Sequence, residues 1–312
     1  MWGRTITSLL ASAARANFRY NGIDFPHHTP TGRFSNGYNT ADQIGKYPPP
    51  FLALLQNQSA FLSNLLHGAN FASGGAGILD PTGIERYQVQ QFATVRDNIT
   101  QLLGQEKSAD FVAKSLFLIS IGSNDILDHH LYNRTTMSLP QLMTAMQLMN
   151  LYSLGARKFG IIGVPLLGCC PTTQVENLTK SGSGCLMELN DYSQAFYSTV
   201  SALLLNLSSQ LPGMIYSLGN AYYMTTTMMQ DPLAFGIKNT EEACRGKGRL
   251  NAEKACFIYY RPNLCRNRKE YLFWDKYHPT EFVSKLAALT LFNGNSSFIT
   301  PMNFSQLAQA SP

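Results

Sequence analysis

Three continuous apolar runs punctuate the chain: "KSLFLISIG" (114–122), "RKFGIIGVP" (157–165) and "GMIYSLG" (213–219). Each is short, apolar on successive positions and bounded by turn residues, the pattern of a buried strand. Between and around them the apolar spacing changes to that of a helix. "QVQQFATVRDNITQLLG" (88–104) carries it up to a glycine stop, "LMELNDYSQAFYSTVSALLLNLSSQL" (186–211) carries it over a longer span, and "TEFVSKLAALTLF" (280–292) closes the series. Strands apolar on both faces, alternating with helices, predict an α/β fold with a mainly parallel sheet covered on both sides. Ligands of such sheets bind beyond the carboxyl ends of the strands. "GSND" (122–125) follows the first run and so falls at the edge of the expected site.

Composition narrows the class without changing the fold. The 312 residues are 45% hydrophobic and 14% charged, enough for one large core. No linker, repeat or low-complexity tract divides them, so residues 1–312 are expected to form a single domain. "YPPP" (47–50) reads as a short rigid loop. The net charge of +5 is spread along the chain, and the densest basic cluster, "RPNLCRNRK" (261–269), lacks the aromatic interleaving of a nucleic-acid reader. It is expected to be a solvated loop, and no nucleic-acid partner is expected. The longest apolar run, "FGIIGVPLLGCC" (159–170), is too short and too broken by Gly and Pro for a transmembrane segment. The N-terminus, "MWGRTITSLLASAA", has too short an apolar region for a convincing signal peptide.

Two features point to an oxidising compartment nevertheless. Seven Asn-x-Ser/Thr sequons occur, at Asn57, Asn98, Asn133, Asn177, Asn206, Asn295 and Asn303, and glycosylation requires the secretory route. The six cysteines show no C-x-x-C spacing, which argues against zinc. Cys244, Cys256 and Cys265 cluster in a polar, loop-like stretch that a disulfide would staple, and Cys169 and Cys185 flank another. Buried free thiols are the alternative. No cofactor or metal motif is present.

Three segments could carry chemistry. In "IGSNDI" Gly122 allows a sharp exit from the strand, and the Asn124 amide could face a developing oxyanion; the plainer reading is that Asn124 or Asp125 caps the next turn. "NFASGGAGI" (70–78) has three glycines in four positions. It lacks the spacing of a phosphate loop, but it could offer backbone N–H groups to an anion, or be a plain turn. "FWDKYHPTE" (273–281) places Asp275 three residues before His278. The carboxylate could fix the imidazole's tautomer and stabilise its charged form. Pro279 suits the first position of the following helix. Together these segments are an acyl-transfer kit without a nucleophile.

The motifs "ANFRYNGIDFP" (16–26), "PTGRFSNGYNTADQIG" (30–45), "GANFASGGAGILD" (68–80), "IGSNDI", "LGARKFGIIGVPLLGCCPTTQ" (154–174), "GCLMELND" (184–191) and "YLFWDKYHPTE" (271–281), in that order, resemble the plant GDSL esterase/lipase family of the SGNH-hydrolase superfamily. The resemblance spans essentially the whole chain. It implies a three-layer α/β/α, flavodoxin-like fold and a secreted, monomeric hydrolase of acyl, lipid or polysaccharide esters that needs no cofactor. It implies His278 as general base, Asp275 as its orienting acid, and Asn124 with Gly75 as oxyanion donors, Gly74 being the rival of Gly75. The family's cysteine positions are matched at Cys169, Cys185, Cys244, Cys256 and Cys265.

The departures are specific. The family is named for a Gly-Asp-Ser-Leu block whose serine is the nucleophile, and this sequence holds no Asp-Ser dipeptide and no G-x-S-x-G elbow. In relatives that block lies just upstream of the segment resembling "TITSLLASAARANF". The expectation is therefore a truncated product of an ester hydrolase that lacks both the serine and the first strand of the sheet; the alternative is a catalytically inactive relative that at most binds ligands. Ser35, Ser73 and Ser123 are the substitute nucleophiles to weigh. Arg245 stands where relatives often carry a cysteine, Cys170 is extra, and the helix over 143–158 looks short.

Overall fold

The computed structural model describes residues 16–45, 48–55, 61, 64–78, 85–132, 139–254 and 262–312. The three apolar runs form β1 (Leu116–Ser120), β2 (Lys158–Ile162) and β3 (Ile215–Gly219). They pair in parallel, Leu116 opposite Lys158 and Lys158 opposite Ile215. A short antiparallel strand, β8 (Ile299–Thr300), completes the order β1-β2-β3-β8. The expected helices are present as α3 (Glu85–Leu103), α8 (Met187–Gln210) and α10 (Glu281–Asn293). So are α1 (Thr40–Ile44), α2 (Phe51–Leu54), α4 (Gln105–Lys114), α5 (Ser123–Tyr132), α6 (Leu139–Ser153), α7 (Pro171–Thr179), α9 (Ala221–Gln230) and α11 (Phe304–Gln309). The helix before β2 that looks short in the sequence runs over 15 residues as α6.

Side chains of a strand alternate between faces, and β2 shows how the layers form. Phe159 and Ile161 point to one side, where they pack with Leu148 of α6, Val200, Leu204 and Leu207 of α8, and Leu218. Ile162 points to the other, against Leu291 of α10 and Phe304 and Leu307 of α11. A Cβ on Gly160 would come within 3.2 Å of Leu118 and the Phe304 ring, so α11 lies close against this strand. This is the three-layer α/β/α arrangement expected of an SGNH hydrolase. No helix among the described residues is long and apolar enough to cross a membrane.

The interior and the β1 edge of the sheet differ. Every residue of β2 is buried, whereas the ends of β1 are exposed and its middle is half-buried. Among the described residues β1 is an edge strand, paired only with β2. A cavity of about 1680 Å³ lies against it, lined by Leu116–Ser120, by Phe71 and Ala72 of the glycine-rich segment, and by Phe92 and Val95 of α3.

Outside the main sheet, β4 (Asn239–Ala243) pairs in parallel with β7 (Tyr271–Phe273), and β5 (Arg245–Gly246) pairs with β6 (Asn263–Leu264). Disulfides join Cys169 to Cys185 and Cys244 to Cys265. Each closes a loop of about 20 residues, which stabilises the fold by roughly 3 kcal/mol in the chain-entropy account. Cys170 is a buried free thiol. Cys256, Tyr47, Asn57, Asn133 and the N-terminal segment read above lie outside the described residues.

Candidate active site

The turn between β7 and α10 carries Asp275 and His278. His278 Nδ1 donates to both Asp275 oxygens, at 2.8 and 2.9 Å, and the backbone N–H groups of Tyr277 and His278 donate to the same carboxylate at 2.9 and 2.8 Å. Burial alone would raise the Asp275 carboxyl. The facing His278 ring and these four donations outweigh it and hold the group below the usual carboxylate range. An ionised Asp275 accepts only, so Nδ1 is the ring nitrogen that donates to it. Nε2 is buried and has no hydrogen-bond partner among the described residues.

The turn is held from both sides. Trp274 N–H donates to the His278 carbonyl at 2.7 Å, and Phe273 bridges to Pro279. The Trp274 side chain is fully buried, and its indole N–H donates to Asn21 Oδ1 at 2.9 Å. Pro279 is not the first residue of the following helix, as the sequence suggested. Thr280 is the N-cap, its hydroxyl accepting from Val283 N–H, and α10 begins at Glu281. The bridge to Phe273 keeps Pro279 extended, so the helix starts two residues later.

On the facing wall, "GSND" and the glycine-rich segment grip each other. Asn124 Nδ2 donates to the Ala76 carbonyl at 2.6 Å, and Ile78 N–H donates to both Asp125 oxygens at 2.9 Å. One amide N–H of Asn124 is thereby used. Asp125 is buried, and sequence reasoning missed its role: it ties two segments together across 47 residues. Gly75 has φ +79°, and Gly122 has φ +111°, where a Cβ would lie 2.5 Å from the Phe196 ring. Both positions require glycine. Asn124, Gly75, Asp275 and His278 all line the one cavity beside β1.

The model of the GDSL-like lipase/acylhydrolase family matches residues 10–290. Among Arabidopsis thaliana proteins, the GDSL esterase/lipase At2g23540 is 35% identical over 328 residues, covering 96% of this chain and 83% of its own length. The GDSL esterase/lipases At1g71250 and At5g37690 are each 33% identical, covering 96% and 93% of the chain. The chain belongs to the GDSL lipase/acylhydrolase family.

Against that family the departures acquire structure. Arg245 is buried, its guanidinium donating to Asn21 Oδ1 at 2.8 Å and lying over the rings of Phe18 and Trp274. A cation held between aromatic faces occupies this position. Burial pushes the Cys170 thiol up to about 12, with the nearby Asp275 charge adding to it, so it is not a nucleophile near neutral pH. None of Ser35, Ser73 and Ser123 hydrogen-bonds His278 Nε2, which has no partner among the described residues. The Ser35 hydroxyl instead accepts from Gly37 N–H at 3.2 Å. The basic cluster is not wholly solvated either. Arg268 pairs with Asp24, and the strengthened pair lowers the aspartate against its burial and raises the arginine.

Proposed function

We propose that the chain carries, in one domain, the base, the orienting acid and the oxyanion donors of a Ser-His-Asp acyl-ester hydrolase. The observation that supports this most is the His278–Asp275 pair, which lines the same cavity as Gly75 and Asn124. In the reaction a serine Oγ attacks the acyl carbonyl while His278 Nε2 takes its proton, and Asp275 stabilises the resulting imidazolium. The Gly75 N–H and the Asn124 amide hold the oxyanion. Collapse expels the alcohol, protonated by His278, and water then releases the acid by the same route in reverse. Substrates are small acyl, lipid or polysaccharide esters, and no cofactor takes part. The exposed sequon residues Asn206 and Asn295, with the two disulfides, support a secreted glycoprotein.

A second reading competes: a relative without catalysis that binds acyl ligands. The lack of an Asp-Ser dipeptide in the sequence favours it. Hydrolysis of p-nitrophenyl acyl esters separates the two. The 312-residue chain is compared with its H278A variant and with a version carrying an added Gly-Asp-Ser-Leu strand ahead of Met1. Hydrolysis by the extended version, abolished by H278A, is expected. If the extended version is inert while folded, the hydrolase reading fails.

A further inference from the structure

The motif "GRFSNG" (32–37) has no part in the proposed chemistry, yet it lies against the base. The Phe34 ring stacks on the His278 imidazole with centroids 4.7 Å apart and planes 18° from parallel. Phe34 belongs to none of the four apolar clusters formed by the described residues. Among the described residues its ring partner is the imidazole.

We propose that Phe34 is the positioning residue of the base, and that the segment around it serves to hold its ring against His278. The proposal rests on His278 being the base. A hydrogen bond through Nδ1 fixes one edge of an imidazole but leaves the ring free to tilt about the line to the carboxylate. A flat aromatic face at stacking distance removes that tilt, so Nε2 keeps one direction. The same face attracts the imidazolium that forms when Nε2 takes a proton.

The segment is anchored as this role requires. Arg33 makes a paired hydrogen bond to Asp42 at 2.5 and 2.7 Å, both side chains buried. Asp42 closes the capping box of α1 with Asn39. On the other side of Phe34, Ser35 and Asn36 carbonyls accept from Gly22 and Asp24 N–H at 2.9 and 2.7 Å. The segment then locks to α10, which begins three residues after His278. Glu281 N–H donates to Asn36 Oδ1 at 2.8 Å, and Tyr38 N–H donates to Glu281 Oε1 at 3.0 Å. A Cβ on Gly37 would lie 2.4 Å from the Glu281 carboxyl carbon, so only glycine allows this approach. Phe34 and His278 are thus set by two ends of one network.

NMR of the 312-residue chain with 15N-histidine tests the role without needing catalysis. A slowly exchanging Nδ1–H resonance is expected for His278, with its ring carbon protons shifted upfield by the Phe34 ring current. The F34A variant is expected to lose the slow exchange and the upfield shift, and F34Y to retain both. F34L keeps apolar bulk without the ring and serves if F34A does not fold; it is expected to lose the slow exchange as well. A purely structural Phe34 would lower the melting temperature and, although the ring-current shift goes with the ring, leave the slow Nδ1–H exchange unmoved. Absence of a slow Nδ1–H in the unsubstituted chain, or a native-like slow exchange in F34A or F34L, overturns the proposal. In the serine-bearing version kcat is expected to fall about 10-fold in F34A with KM little changed, and to recover in F34Y. A changed signature with no hydrolysis by any version would sink the hydrolase reading and leave the positioning role standing.

Discussion

The two walls of the cavity are built by different rules. The His278 wall is polar and cross-linked: Trp274, Asn21, Arg245, Asp24, Arg268, Asn36 and Glu281 join segments more than 200 residues apart through paired donors and acceptors. The β1 wall is apolar, half-exposed, and unpaired along one strand edge among the described residues. A polar network of this kind sets geometry by hydrogen-bond direction. An apolar wall gains stability only from what covers it. His278 and Asp275 are therefore held in place by contacts within the polar network, while β1 is only partly covered among the described residues.

Matched truncations on equivalent strands give the largest test of that contrast. Leu218 of β3 is fully buried, and Leu118 of β1 is only half-buried. Leu218→Ala is expected to cost roughly 2–5 kcal/mol in urea unfolding. Leu118→Ala, with less area withdrawn from water, is expected to cost about 1 kcal/mol. Equal costs would mean that β1 is as well covered as β3 in solution.

The polar wall is tested next, at Asp275. Its depressed carboxyl means that the unfolded chain takes up a proton at a higher pH than the folded one. Stability from the ionised group is therefore present above about pH 4 and is lost as pH falls through the folded value. Asp275→Asn keeps the shape and removes the charge that accepts four donations. It is expected to cost about 2 kcal/mol at pH 7, with the gap to the unsubstituted chain narrowing below pH 4. A gap that stays constant down to pH 2.5 would show that the charge contributes nothing.

Legibility in the sequence follows the range of the interaction. β1, β2 and β3 were readable because a strand buried on both faces is apolar at every position, and α3, α8 and α10 because one face repeats every 3.6 residues. Asp275 and His278 were readable because three residues separate them. Phe34 against His278, Asn36 against Glu281 and Asp125 against Ile78 were not, since nothing local marks a partner 47 to 245 residues away. β8 was missed because two residues carry no period. Pro279 was placed at the helix start on local preference, which a bridge to Phe273 overrode. The pairing of Cys244 with Cys265 was left open by the sequence because three cysteines of similar context compete for one bond.

The smallest effect is expected at Glu281, and it has the opposite sign. Burial raises this carboxyl, with the neighbouring Asp24 charge adding to the rise and Tyr38 N–H and nearby lysines opposing it. The folded chain therefore holds this proton to a higher pH than the unfolded chain. The stability associated with the neutral group is complete below about pH 4 and is lost as pH rises through the folded value. Glu281→Gln stays neutral at every pH and keeps an oxygen to accept from Tyr38 N–H, so the lock on the Phe34 segment survives. It is expected to raise stability at pH 7 by at most about 1 kcal/mol, with the gain vanishing below pH 4. Urea unfolding of both proteins from pH 3 to 8 measures it. A loss of stability at pH 7 would mean that the ionised carboxylate, rather than a neutral acceptor, is what fastens the Phe34 segment to α10.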